Sequence, residues 1–337
     1  MKRIGLIILL FITGLQLIAQ QRPQYTQYVF APVLINPAVT GIENYTDVKA
    51  GYRSQWTGLL GAPITSYFTI NAPLGKNFIE GDATQSPANG ENPLGHSFTQ
   101  SYMAAEPHHG IGLTAVTDKA GPIRQTNIDV TYAYHLGISP TLNLAVGVAA
   151  GISNYTLNTA EITTENYDPA ISGGNYNQFK PDVGIGVWAY SSTYFLGASV
   201  QQLLPQTIDF SDHSSPLFGT GKTVPHFFFT GGFKVFLNDD ITLLPSVMVK
   251  VVNPVPVSYD VNLKLAFRDH FWIGGAYREN DAVAALIGFN LGSFISLGYS
   301  YDYTTSNLNT VSNGTHEIVL GIFLNNRYKV TCPQHTF

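Results

Sequence analysis

The residue types best able to do chemistry are few and poorly spaced for it. The chain has nine histidines and one cysteine in 337 residues. Only His108 and His109 are adjacent, and neighbouring residues on a strand point to opposite faces, so the pair does not converge on one metal. The single Cys332 excludes an internal disulfide and any cysteine-based zinc site. Gly110-Ile111-Gly112 and Gly184-Ile185-Gly186 resemble fragments of a nucleotide-binding loop. Each lacks the third glycine and a following helix, so both read as strand glycines at crowded positions. Asp239-Asp240 reads as a turn before a strand. No Gly-x-Ser-x-Gly elbow is present, and Ser, His and Asp show no triad spacing. No catalytic residue, metal or cofactor is expected, and the chain does not read as an enzyme.

What remains are charges that recur at every second position of long alternating runs. Asn127–Leu136 sets Ile128, Val130, Tyr132, Tyr134 and Leu136 on one face and Asn127, Asp129, Thr131, Ala133 and His135 on the other. Val257–Arg268 repeats the pattern, with Asp260, Lys264 and Arg268 on the polar face. Asp47–Trp56 opposes Lys49 and Arg53 to Val48, Ala50, Tyr52 and Trp56, and Thr315–Leu324 alternates more weakly. Strict period two is the pattern of a strand with one greasy and one wet face. Ten similar runs, near 64–73, 109–118, 142–155, 181–190, 193–202, 226–237, 240–252, 270–279, 281–290 and 293–304, bring the expected count to about fourteen strands. Each is about ten residues long, enough to cross a bilayer at a tilt.

Composition favours the same architecture. Charged residues are 12% of the chain, against roughly 25% in soluble domains. A lipid-facing exterior needs no charges, whereas a soluble sandwich or propeller does. The net charge of −5 disfavours a partner held by phosphate contacts, so no nucleic acid is expected. Met1-Lys2-Arg3 followed by the apolar run Ile4–Ile12 and the small residue Ala19 fits a secretory signal peptide cut near Ala19. After it, no apolar run is long enough for a membrane-spanning helix. The expected divisions are a signal peptide at 1–19, an N-terminal segment at 20–45, a barrel at 46–327 and a tail at 328–337.

Connection lengths support a barrel in the outer membrane. Turns near 137–141, 191–193, 238–240, 269–270 and 291–293 are short, and alternate connections near 156–180, 203–224 and 304–313 are long and polar. Short periplasmic turns opposite long extracellular loops mark this class. Pro73–His108 breaks the rule at some 35 residues and reads as an insertion or a miscounted strand. Tyr299, Tyr301 and Tyr303, with Trp272, Tyr277, Tyr190 and Tyr194 near strand ends, read as an interfacial girdle.

Three features are candidates for function. The first is the set of inward charges Lys49, Arg53, Asp129, Asp260, Lys264 and Arg268, which would form a salt-bridged plug seat, a selective pore, or simply a solvated interior. The second is the Asp118-Lys119-Ala120-Gly121-Pro122 turn, whose Gly and Pro fix its backbone at the surface. It reads as a rigid docking tip or as a good hairpin turn. The third is Pro23–Gly41. Its three prolines disfavour a central strand, yet Tyr25, Tyr28, Phe30 and Leu34 seek burial. A plug or periplasmic contact is expected, with Tyr25, Tyr28, Phe30, Asn36 and Pro37 as its contacting residues; a loose tail is the alternative.

The stretch P-Q-Y-T-Q-Y-V-F-A-P-V-L-I-N-P-A-V-T-G at 23–41 resembles the N-terminal signature of the PorP/SprF family of the type IX secretion system. Tyr52-Arg53-Ser54-Gln55-Trp56-Thr57-Gly58 with Gly61-Ala62-Pro63 matches further, as do Thr117-Asp118-Lys119-Ala120-Gly121-Pro122, Tyr132-Ala133-Tyr134-His135-Leu136 and Glu317-Ile318-Val319-Leu320-Gly321. Ala31, where an Asn is expected before Pro32, and the long 73–108 insertion depart from the family pattern. The resemblance implies a non-enzymatic outer-membrane barrel that supports secretion or surface attachment of cargo with C-terminal sorting domains, gliding adhesins among them. Implied partners are that cargo, type IX ring components and outer-membrane lipid. A small-solute porin is the rival reading.

Overall fold

The computed structural model describes residues 23–75, 102–162, 176–208, 221–268, 270–291 and 294–324. The expected signal peptide, Cys332, the C-terminal tail and most of the 73–108 insertion lie outside them. In chain order the strands are β1 (Thr46–Ser54), β2 (Ile64–Leu74), β3 (His108–Ala120), β4 (Ile123–Ser139), β5 (Leu142–Leu157) and β6 (Tyr176–Tyr190). Then come β7 (Tyr194–Gln201), β8 (Thr207–Ile208), β9 (Gly221–Lys222), β10 (His226–Phe233), β11 (Val235–Phe236) and β12 (Ile241–Val252). The last five are β13 (Val255–Phe267), β14 (Phe271–Arg278), β15 (Ala282–Leu291), β16 (Ile295–Thr304) and β17 (Thr315–Leu324).

β8 and β9 pair only with each other, inside the connection from β7 to β10. β10 and β11 are one strand interrupted at Lys234, both pairing with β12. The wall is therefore a closed antiparallel barrel of fourteen strands. Each wall strand pairs with its sequence neighbour, and β1 closes the ring on β17 with Arg53 opposite Glu317. Consecutive pairing needs only hairpin connections, which is why period-two runs alone can specify it. β2 and β3 pair from Ile64↔Lys119 to Leu74↔His109, so the long connection between them is an insertion and no early strand is miscounted.

The alternation resolves as apolar outward and polar inward. Val130 is 54% exposed and Val261 49%, while Glu317 is 0% and Arg53 2% exposed. Such an exterior belongs in lipid, where apolar side chains need no cover. The inward polar residues are buried because residues 23–45 lie within the barrel and exclude water from much of the lumen.

Two of the girdle aromatics are corrected by this parity. Tyr194, Tyr277, Tyr299 and Tyr303 do point outward, but Trp272 and Tyr190 are buried inside. Trp272 and Tyr277 lie five residues apart on β14, and an odd spacing on a strand puts them on opposite faces. The Trp272 ring lies over Gly288 of β15, where any Cβ would overlap it, and meets the Phe30 ring at a tilt, centres 6.5 Å apart. We expect Trp272→Ala to cost about 3–5 kcal/mol, read as a lower melting temperature in detergent; an unchanged melt would contradict this packing role.

Candidate functional site

Residues 23–41 cannot join the wall because their prolines lack the ladder donor. Two of those prolines instead open short turns. Pro32 and Pro37 each begin a 3-10 turn, Pro32–Leu34 and Pro37–Val39, where a missing N–H costs nothing. Asn36 caps the second: its Oδ1 accepts from Ala38 N at 3.0 Å. Its Nδ2 meanwhile donates to two wall carbonyls, Val187 O at 3.0 Å and Ala198 O at 3.3 Å. The wall answers with Ser199 Oγ donating to Ile35 O (2.6 Å) and Gln201 Nε2 to Leu34 O (2.7 Å). A segment without secondary-structure partners thus has its backbone groups paired by wall side chains.

The segment sits directly on wall glycines. A Cβ at Gly186 would overlap Asn36 and crowd Pro37, one at Gly147 would overlap Ala38 and Pro37, and one at Gly110 would overlap Thr40. A Cβ at Gly298 would overlap Gln27. Gly110, Gly184 and Gly186 are indeed strand residues. For Gly110 and Gly186 the crowding comes from this segment, while Gly184 meets only Val200, Ala149 and Gln201 at ordinary distances or slightly less.

Two buried polar clusters hold its ends. Near Thr26, Arg53 bonds Asp302 (2.9 Å) and Glu317 (3.0 Å), and Arg278 bonds Asp260 and Asp281 (both 3.1 Å). Thr26 enters this network through its N–H to Glu317 Oε2 (2.9 Å) and its hydroxyl to Asp302 Oδ2 (2.6 Å). Arg53 Nη1 donates to that same hydroxyl, and Gln27 Nε2 donates to Glu317 O at 3.1 Å. Tyr67 OH donates to Glu317 Oε1 (3.0 Å) and its ring meets Tyr25 edge-on at 5.4 Å. Tyr28 OH accepts from Asn262 at 2.8 Å, and burial pushes its hydroxyl pKa well above the usual phenol range.

At the other end His108 and His135 stack in parallel, ring centres 4.5 Å apart. His135 Nε2 donates to Thr40 O (2.9 Å) while its Nδ1 meets the Tyr190 hydroxyl (3.0 Å), and His108 faces two carbonyls, Gly41 O at Nε2 (3.2 Å) and Glu106 O at Nδ1 (2.8 Å). His109 points outward to Tyr132, as alternation requires. Asn71 Oδ1 accepts from Gly41 N at 2.9 Å.

The inward charges divide. Arg53 and Asp260 are in the cluster; Lys49 pairs with Asp47 at 2.7 Å and lies over the Phe30 ring. Lys264 lies over Trp272 at 4.7 Å, and Asp129 faces the lumen cavity. Arg268 does not belong with them. It follows the end of β13 with φ of +48°, is exposed, and pairs at 2.7 Å with Asp240, which precedes the neighbouring strand β12. The period-two reading carried one residue too far, past the point where the strand stops alternating. An exposed pair contributes about 0–1 kcal/mol, so Arg268→Ala is expected to leave the melting temperature nearly unchanged; a large drop would return it to the structural core.

The candidate surface turn is also narrower than its motif. Ala120 pairs with Ile123, leaving Gly121 (φ +55°) and Pro122 as the whole turn. Asp118 and Lys119 are strand residues on opposite faces. Asp118 accepts from Thr65 (2.6 Å), and Lys119 pairs with Glu161 (2.9 Å), holding that exposed carboxyl below its usual pKa range. Gly121 N donates to Gly61 O at 2.9 Å, docking the turn on the 55–63 loop.

Asp302, Glu317, Arg278 and Thr26 were missed by sequence reasoning, although Glu317 stands on the polar face of the weakest alternating run. Among the described residues no three His, Cys, Asp or Glu side chains gather as metal ligands.

Several solved outer-membrane barrels resemble this chain. The toluene transporter TbuX of Ralstonia pickettii is 11% identical, with 87% of this chain and 93% of that one covered and a TM-score of 0.47. A Pseudomonas aeruginosa FadL homologue is 9% identical, with 90% and 94% covered and a TM-score of 0.46. The Acinetobacter baumannii outer membrane protein Omp33 is 7% identical, with 85% and 99% covered and a TM-score of 0.45. No curated protein matches. The family model described as type IX secretion system membrane protein PorP/SprF matches residues 17–322. With that match spanning almost the whole barrel, the chain belongs to the PorP/SprF family of type IX secretion system membrane proteins.

Proposed function

We propose that this protein is a plugged, non-enzymatic outer-membrane barrel that supports secretion or surface attachment of cargo with C-terminal sorting domains. Residues 23–41 are its plug, with Tyr25, Tyr28, Phe30, Asn36 and Pro37 as the seated side chains. Lys49, Arg53, Asp260 and Lys264 serve as the seat. The observation carrying this reading is the match in shape and charge between segment and wall: glycines where the segment touches, and buried ion pairs where Thr26 docks. Family membership supports partners among type IX components. Surface-attached adhesins are the cargo class proposed, with the short-turn rim facing the periplasm and delivery through a signal peptide cut near Ala19. The Gly121-Pro122 tip, braced by Gly61, is a rigid loop-side contact.

The test is co-purification of the full-length barrel with large secreted proteins or periplasmic ring subunits from detergent extracts. Gene deletion should abolish export or surface attachment of the captured cargo; unchanged export of every such protein would end the proposal. The porin alternative makes a different forecast in planar bilayers, where a steady open conductance of the wild type would favour it and silence the plug.

A further inference from the structure

The loop from β1 to β2, residues 55–63, stands on the rim opposite the short turns and is braced by both of its neighbours. Thr57 N donates to Gly314 O (2.8 Å) and Asn313 N to Thr57 O (2.7 Å), tying it to the connection before β17. Gly61 O accepts from Gly121 N (2.9 Å), tying it to the turn between β3 and β4. Gln55 N donates to Pro63 O (2.9 Å) and closes its base. Trp56 takes φ of +44°, a left-handed conformation that a bulky residue adopts only where its surroundings impose it. Thr315 Oγ1 holds it there, accepting from Trp56 N at 3.1 Å.

This bracing displays apolar side chains. Leu60 at the tip is fully exposed, and Leu59 beside it is exposed as well. The same cross-links bring in Ile123, next after the Gly121-Pro122 turn, and Val311, two residues before Asn313, both exposed. A lone surface leucine needs no explanation, but apolar residues gathered on a stiff rim mark an interaction site. Hydrocarbon does not cover them. Ser54, where β1 ends, is level with His316, whose ring meets the Tyr299 hydroxyl at 2.7 Å. Aromatics with a polar tip mark the headgroup zone, and residues 55–63 lie beyond it. Neighbouring charges largely cancel: Glu161 pairs with Lys119 at 2.9 Å and is drawn on by Arg124 too.

We propose that Leu60, with Leu59, Ile123 and Val311 around it, is the anchor by which this barrel holds a secreted protein at the cell surface, the partner supplying an uncharged apolar pocket on a folded domain. The anchor presupposes the proposed function and names the contact within it. A knob already fixed in place loses little freedom on binding, and taking its apolar surface out of water drives the association. A saccharide or lipid headgroup would find few donors here, since the backbone groups of Thr57 and Gly61 are already engaged.

The experiment places Leu60→Asp and Leu60→Met in the full-length barrel in its native outer membrane and measures the secreted proteins that co-purify in detergent, relative to barrel recovered. Leu60→Asp is expected to lower capture of the wild type's secreted partner about tenfold or more, and Leu60→Met to retain it. A benzophenone amino acid at position 60, irradiated in intact cells, is expected to form an adduct with that same protein. Equal capture by Leu60→Asp overturns the anchor and leaves the proposed function standing. So do adducts confined to lipid, lipopolysaccharide or a second copy of the barrel, and so does the absence of any adduct, even where periplasmic ring subunits co-purify. A wild type that captures neither secreted nor ring proteins ends the proposed function and the anchor together. Should Leu60→Asp fail to fold, judged by heat-modified gel mobility, the adduct at position 60 decides.

Discussion

Arg53→Met will lower the melting temperature of the barrel in detergent sharply and expose the N-terminal segment to added protease. Arg53 is 2% exposed and forks between Asp302 and Glu317, with Thr26 of the segment bonded to both carboxylates. Removing the guanidinium leaves two carboxylates buried at 2% and 0% exposure, with Asp302 reaching only the more distant Arg278 at 3.7 Å. Breaking a buried pair from one side costs about 3–5 kcal/mol, because the abandoned charge has no water to turn to. Arg53→Lys should recover only part of this loss, since a point charge cannot span both acceptors as a planar fork does. An unchanged melt together with an unchanged protease pattern would mean that the cluster neither stabilises the barrel nor holds the segment.

The second large effect needs no charge. Gly186→Val puts a branched side chain where Asn36 and Pro37 rest on the wall. Asn36 would then lose its bonds to Val187 O and Ala198 O along with its cap on Ala38. Overpacking of this kind costs about 1–3 kcal/mol, and the N-terminal segment can relieve it by moving off the wall, whereas the ladder-bonded wall cannot. On the proposed plug reading, planar bilayers are expected to show ion conductance for this variant and silence for the wild type. Gly275→Ala is the matched control: its added Cβ meets only Ala284 O, at 3.8 Å. If both variants are silent and the segment stays protected, steric seating does not control the lumen.

Much of this architecture was legible from alternation because a strand has only two faces. Asp129, Asp260 and Lys264 could be assigned inward from their neighbours alone, and fourteen strands follow from counting the runs. The misassigned residues are those where a local rule met an end or an odd offset. Arg268 lies just beyond the last ladder residue, Phe267. Tyr190 and Trp272 were assigned by residue type, although parity required the opposite face for Trp272. Tyr190 instead reaches His135 Nδ1 at 3.0 Å inside the barrel.

What the sequence by itself determined is which side chains face lipid and which face the lumen, since period two is a property of the local chain. Which lumen groups meet was decided only by closure. Arg53 reaches Asp302 and Glu317 across 249 and 264 residues of sequence because β1 completes the ring against β17. The proline-rich segment likewise shows a need for burial but no periodicity, so its path past Gly298, Gly186, Gly147 and Gly110 exists only once the wall has curved around it.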